Sequence, residues 1–238
     1  MRIFRNTEEA YPEILRDIVK RGVEYHSSSV QGKSTKGDDN YTYKELTLYS
    51  FMIEHPQDAV EQSKDPEWVN AEFTERVSTI NMNPGEAYKL REDLWKPMLN
   101  ANGKFDYSYN ERIGWEHIVY VTNNICNFPS SRRNIISVWD DSIDKYRLEG
   151  PQRVPCSMYY NFRERNGVID IIYHMRSSDY YEHFKNDIAL AYLLLKYVVD
   201  VCNYDLPQEN DCYKVGKLFM TIDSLHAYKK DWGKLEIY

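Results

Sequence analysis

The stretch CSMYYNFRERNGVIDIIYHM, residues 156–175, decides the architecture. Two runs rich in β-branched and aromatic residues flank Asn166 and Gly167. Asn-Gly is the strongest short hairpin signal, because both residues accept the positive φ of a tight turn. The hairpin brings Cys156, which opens the first strand, to the same sheet edge as Arg176, which closes the second.

Working outward, residues 186–201 read as a helix. Ile188, Ala191, Tyr192, Leu195, Val198 and Val199 make one wide apolar face. KLFMTI, residues 217–222, reads as a last strand before DSLHAY. Toward the N-terminus, IISVW (135–139) is a strand, 113–126 is mixed, and 66–99 is mostly helical with a break at Asn83-Pro84-Gly85. Residues 41–53 alternate like a strand. SSSVQGKSTKGDDN, residues 27–40, reads as a mobile loop, a plain connector by composition or else a flap over a site. Residues 8–21 form a helix with Ile14, Ile18 and Val19 on one face, stopped by Gly22. Strands and helices mix without regular βαβ alternation, and no internal repeat is present. This predicts one α+β domain over residues 1–238, a sheet with helices packed on one face.

The formal net charge of −7 argues against a broad nucleic-acid-binding face, while leaving room for a local phosphate pocket. Tyrosine is heavily used, at 21 residues, and suits both half-buried positions and a polar cleft. Cys126, Cys156, Cys202 and Cys212 form no CxxC pair and no zinc-like spacing, so no metal site is expected. The N-terminal residues lack an apolar signal core, and the apolar run 188–201 is interrupted by Lys196 and Asp200. The expectation is a soluble protein with reduced thiols, cytoplasmic in its cell or in an infected host cell, with no membrane partner.

Taken alone, a cysteine among aromatics is ordinarily an inert, buried thiol. A nucleophilic cysteine needs help, and a neighbouring arginine supplies it by favouring the thiolate. Arg176 is followed by Ser177, Ser178 and Asp179, a combination that suits a phosphate cradle and equally a surface turn. Arg132 and Arg133 form a second basic pair before IISVW. Glu72, in EWVNAEFTE, lies on an expected helix, where a solvated acid is the plain reading.

Together, SSRRNIISVW, VPC, MRSSD, FKNDIA and DSLHAY, in that order, resemble the thymidylate synthase family, and the interval of twenty residues from Cys156 to Arg176 matches the family spacing. FRNTEEAYPEILRDIVKRG is similar to the family's first helix. The resemblance implies a thymidylate synthase-like mixed sheet. It also implies a cysteine that attacks carbon 6 of a pyrimidine nucleotide, so that carbon 5 takes a one-carbon unit from 5,10-methylenetetrahydrofolate or a related pterin carrier. On that resemblance Cys156 is the nucleophile, and Arg176 and Ser177 hold the nucleotide phosphate. Arg132 and Arg133 reach the phosphate of a neighbouring subunit, so a homodimer is implied. His226 and Tyr228 bind the sugar hydroxyl, Tyr109 lies near the nucleophile, Glu72 organises water and proton transfer, and Asp179 belongs to the substrate site.

The base position departs from ordinary thymidylate synthase. Eleven residues after Arg176, where that enzyme has asparagine, stands Asp187. A carboxylate accepts only, which suits the exocyclic amino group of cytosine and not the uracil carbonyl. A register shifted by one residue would put Asn186 there and reverse the preference. The aspartate is similar to that of the phage deoxycytidylate hydroxymethylases, as are MRSSD, FKND, SLHAY and EWVNAE. In that branch water captures the one-carbon unit and gives a 5-hydroxymethyl product. The substrate expected is therefore a cytidine monophosphate, dCMP or CMP. The alternatives are a divergent thymidylate synthase or 5-methyltransferase acting on dUMP or dCMP, and a non-catalytic nucleotide-binding homologue. Residues 27–40 lack the family's loop arginine, for which Lys33 or Lys36 is the substitute at hand, and ten residues follow Tyr228 where the family carries a longer closing segment.

Overall fold

The structure is a computed structural model that describes residues 1–30, 33–148, 150–204 and 212–236, with backbone only at Lys33. In chain order it runs β1 (Arg2–Phe4), α1 (Thr7–Arg21), β2 (Val23–His26), a small β3/β4 ribbon (Ser29–Val30 and Lys33–Ser34) and β5 (Thr42–Ile53). There follow α2 (Pro66–Arg76), α3 (Glu92–Trp95), α4 (Tyr109–Ile113), α5 (Trp115–Asn127), β6 (Ile135–Ser137) and α6 (Asp141–Asp144). The remainder comprises β7 (Ser157–Arg165), β8 (Val168–Met175), β9 (Ser178–Asp179), a π-helical turn (Tyr180–Phe184), α7 (Lys185–Asn203), β10 (Lys214–Tyr228) and α8 (Lys229–Leu235).

Among the described residues one sheet has the order β1-β5-β10-β8-β7-β6, with β2 paired to β5 and β9 to β10. It is mixed: β10 runs antiparallel to β5 and parallel to β8. The β7–β8 hairpin forms as its sequence demands. Asn166 and Gly167 adopt φ values of 53° and 75°, and the Gly167 N–H donates to Glu164 Oε1 at 2.9 Å. Near its open end a bulge falls between Ser157 and Tyr159, directly after Cys156. Such a bulge bends the strand and re-aims neighbouring side chains.

Inward-facing Tyr160, Phe162, Ile169, Ile171, Tyr173, Leu218, Met220 and Ile222 join the core. Against them lies α7, through Ile188, Ala191, Leu195, Val198 and Val199, all buried. At the far side α1 packs Ala10, Tyr11, Ile14 and Ile18 into the same core; its N-cap Asn6 accepts from the Glu9 N–H at 3.0 Å. The opposite sheet face carries Tyr159, Ile172, His174, Phe219 and Thr221, all half-buried. The α+β architecture with helices on one face is therefore as expected.

Several local expectations need correction. Residues 113–126 are not mixed: Trp115–Asn127 is one helix, because Ile118, Val121, Thr122 and Ile125 line up at helical spacing despite their β-branching. Within 66–99 only Pro66–Arg76 is a sustained α-helix; the rest is short 3₁₀ and α turns. The last strand is longer than 217–222. It continues through DSLHAY because β5 and β9 pair with it as far as Tyr228 and His226. Within 27–40, expected as a loop, Ser29–Val30 pairs with Lys33–Ser34; Gln31 and Gly32 lie outside the described residues.

Candidate active site

A cavity of about 820 Å³ opens at the edge where the hairpin ends, and Cys156, Arg176, Ser177, Ser178, Asp179, Asp187, His226, Tyr228, Glu72 and Tyr109 all line it. The hairpin ladder joins its two ends: the Arg176 N–H donates to the Cys156 carbonyl at 2.9 Å. The Arg176 guanidinium folds back over the same turn. Its Nε donates to the Pro155 carbonyl at 2.8 Å, and one Nη reaches the Val154 carbonyl at 3.2 Å and Cys156 Sγ at 3.7 Å.

Asp187, in the first turn of α7, is half-buried, and Ser178 Oγ donates to its Oδ2 at 3.0 Å. Burial pushes its carboxyl up to about 7, against the opposing pull of Arg76 and the Ser178 hydroxyl. Its neighbour Asn186 is turned away from the cavity. The Asn186 side chain is 1% exposed, accepts from the Lys64 and Asp65 N–H groups at 2.9 and 3.1 Å, and donates to Asp65 Oδ2 at 3.1 Å. Of the two residues that compete for the base position, the cavity therefore receives Asp187.

Glu72 is half-buried in the cavity wall and not a free surface acid. Its Oε1 accepts from Arg76 Nε at 2.8 Å, one helical turn on, and Arg76 lies over the Tyr109 ring at 3.9 Å. Burial opposes the Arg76 charge most strongly, but Glu72, Tyr160 and Tyr109 together outweigh it and raise the pKa. Burial raises the Tyr109 hydroxyl well above its usual range, keeping it protonated. That hydroxyl accepts from Ser157 Oγ at 3.1 Å. His226 and Asp179 face each other across β10 and β9. Burial lowers the imidazole and raises the carboxyl, each opposed by the other. Asp179 Oδ1 also accepts from the Tyr181 and Glu182 N–H groups at 2.9 and 3.2 Å, so it organises the turn behind it as well. Rings of Tyr43, His226 and Tyr228 pack edge-on at 4.9–5.8 Å.

Arg132 and Arg133 do not join this cavity within the chain; both are exposed and line a separate hollow with Asn124, Phe128 and Ser131. Lys36 is exposed and outside the cavity lining. Sequence reasoning missed Arg76, Trp68, Trp95, Tyr107, Arg153 and His183, which also line the cavity. Arg76 was signalled by its four-residue spacing from Glu72, and Arg153 by standing three residues before Cys156. Among the described residues no group of three or more metal-ligating side chains occurs, and no helix is long and apolar enough to cross a membrane.

The thymidylate synthase family model matches residues 66–237. The chain belongs to the thymidylate synthase family. It is similar to the thymidylate synthase of Enterobacteria phage T4, 33% identical over 90 residues, which are 38% of this chain and 30% of that one. It is also similar to the deoxycytidylate 5-hydroxymethyltransferase of the same phage, 28% identical over 154 residues, 62% of this chain and 59% of that one. This family member thus spans less than two thirds of either relative. In fold it matches the thermostable thymidylate synthase A of Bacillus subtilis with a TM-score of 0.69 at 17% identity, over 98% of this chain and 83% of that one.

Proposed function

We propose that this chain is a pyrimidine nucleotide one-carbon transferase that 5-hydroxymethylates a cytidine monophosphate, dCMP or CMP, through a covalent cysteine adduct. The observation that carries the reading is Asp187 in one cavity with Cys156 and Arg176, while Asn186 is consumed by the Lys64–Asp65 backbone. A carboxyl can accept from the cytosine amino group and, when protonated, donate to N3. Addition of the Cys156 thiolate to carbon 6 pushes electrons toward carbon 5 and N3. A carboxyl near neutrality is matched to deliver a proton at N3 as that charge develops. Arg176 and Ser177 hold the phosphate, His226 and Tyr228 the sugar, and Tyr109 packs beside the nucleophile. Glu72, held by Arg76, and the neutral His226 position the water that ends in the 5-hydroxymethyl group. Asp179, beside His226, completes that side of the site.

Methylenetetrahydrofolate, when bound, supplies the one-carbon unit at the oxidation level of formaldehyde. The cavity suits such a flat carrier: the indoles of Trp68 and Trp95 line it and stack on each other at 6.0 Å and 16°. A homodimer accounts for Arg132 and Arg133, which reach a neighbouring site, and for the sheet face that the helices leave open.

The raised Asp187 carboxyl also supports a second reading. A neutral acid can donate to the uracil O4 and accept from its N3–H, so dUMP and a thymidylate synthase-type methyl product fit that protonation state. Release of tritium from carbon 5 of labelled dCMP, CMP and dUMP, with and without the carrier, separates the readings. The expected result is release from a cytidine nucleotide that is abolished in Cys156→Ser. Release from dUMP alone would favour the second reading; nucleotide binding without any release would mean a non-catalytic homologue.

A further inference from the structure

His226 belongs to a row of polar side chains that crosses β5, β10 and β9. Glu45 is its direct cross-strand neighbour on β5, Asp179 its neighbour on β9, and Ser224 stands two residues before it on β10. Pairing across strands and the two-residue repeat place all four on one face. Ser224 Oγ donates to Glu45 Oε2 at 2.7 Å, and Thr47 Oγ1 donates to Glu45 Oε1 at 3.1 Å. Glu45 is half-buried and lies outside the cavity lining. Glutamate is depleted in strands, yet this one is held there by hydroxyls and not by a lysine or arginine.

Two oxygens face His226 Nδ1, and both belong to Ser224: the hydroxyl at 3.3 Å and the carbonyl at 3.3 Å. The carbonyl only accepts. The hydroxyl has one proton and gives it to Glu45, so toward the ring it accepts as well. In the neutral imidazole the hydrogen therefore sits on Nδ1. The lone pair is left on Nε2, on a ring that lines the cavity. Without Glu45 the Ser224 hydroxyl is free to turn its proton onto Nδ1 and support the opposite tautomer. A carboxylate behind an imidazole fixes the tautomer in this way.

We propose that Glu45, acting through Ser224, is a positioning residue that holds His226 as the Nδ1–H tautomer and so makes Nε2 a proton acceptor at the cavity wall. This rests on the hydroxymethyl-transfer reading of the site. The water's oxygen bonds the exocyclic methylene on carbon 5 and its proton passes to Nε2. The methylene π pair re-forms the double bond between carbons 5 and 6 as the Cys156 thiolate leaves carbon 6. Burial disfavours the imidazolium so formed, Asp179 and Glu45 favour it from β9 and β5, and Arg176 opposes it from the end of β8. Tyr43 and Tyr228 pack on the ring at 5.6 and 4.9 Å, and His183, in the π-helical turn, is near enough to feel its charge.

The test joins the pH profile of 5-hydroxymethyl product formation from dCMP to nitrogen-15 spectra of histidine-labelled full chain, in which His226 is identified by the signals lost in His226→Gln. The wild type should show Nδ1–H. Glu45→Gln keeps the size and an acceptor for Ser224 but removes the charge. Its acidic limb should move to lower pH, because Glu45 favours the imidazolium, and its rate should fall roughly tenfold. Glu45→Leu should shift the ring toward Nε2–H and lower the rate by about 100-fold or more. Ser224→Ala, which leaves only the carbonyl before Nδ1, should keep Nδ1–H, and in that background Glu45→Leu should no longer change the tautomer. If Glu45→Leu does not fold, the isosteric Glu45→Gln and Ser224→Ala carry the test. A purely structural Glu45 would lower stability while leaving the limb and the tautomer in place; that result overturns the proposal, as does Nε2–H in the wild type. A wild type that makes no hydroxymethyl product refutes the underlying reading instead, and the spectra still decide the tautomer.

Discussion

Replacing Asp187 by asparagine should make the protein's stability less dependent on pH, in a direction that the site fixes. The carboxyl is moved by burial from its ordinary 3.8 to about 7. A displacement of that size separates the two protonation states by about 4 kcal/mol, and solvent in the cavity reduces the usable part to roughly 2–4 kcal/mol. The folded protein holds this proton more tightly than the unfolded chain. Its stabilising contribution is therefore fully present below about pH 4 and is lost as pH rises through about 7. The amide that Asp187→Asn introduces does not titrate. Urea unfolding of both proteins at about pH 5 and about pH 9 should show the variant gaining roughly 1–3 kcal/mol on the wild type across that interval, the part of the effect that falls above pH 5. A stability difference that stays constant with pH would refute the premise that this carboxyl is desolvated.

The same substitution should change base preference: an amide donates to the uracil O4 and accepts from N3–H, so tritium release from dUMP should rise while release from dCMP falls by about 100-fold or more. Unchanged selectivity would remove Asp187 from the base-reading role. Away from the site, Arg112→Met should destabilise the fold by about 3 kcal/mol, because Asp144 is fully buried and loses its shortest ion pair, Arg112 at 2.7 Å, keeping the longer one to Arg147 at 3.5 Å. Thermal melting would show it, and Arg112→Met combined with Asp144→Leu should recover much of the loss.

What the sequence disclosed depended on how local the determining forces are. The Asn166-Gly167 turn dictates its own conformation, so the hairpin and the meeting of Cys156 with Arg176 follow from counting residues. Helical phase then carries Asp187 into the cavity and Asn186 away from it. The full length of β10 was hidden because its pairing partners, β5 and β9, lie far off in sequence or count only two residues. The Trp68–Trp95–Arg153 wall was hidden for a related reason. Its members come from a helix, a short turn and a coil, and only tertiary packing assembles them. Arg132 and Arg133 were legible as a basic pair, yet the single chain gives them no contact with the cavity.

The central position of β10 has a consequence in time. This strand is made last of the sheet's members but lies between β5 and β8, pairing with both. While the chain is being synthesised, the β7–β8 hairpin can close within microseconds of emerging, since its contacts are local. The facing edges of β5 and β8 must wait, with their backbone groups unpaired, until residues 214–228 leave the ribosome. Open edges of this kind recruit other strands. A chain stalled before β10 therefore already holds Cys156, Arg176 and Asp187 but presents an adhesive gap instead of a sheet, which makes it a natural client for chaperones.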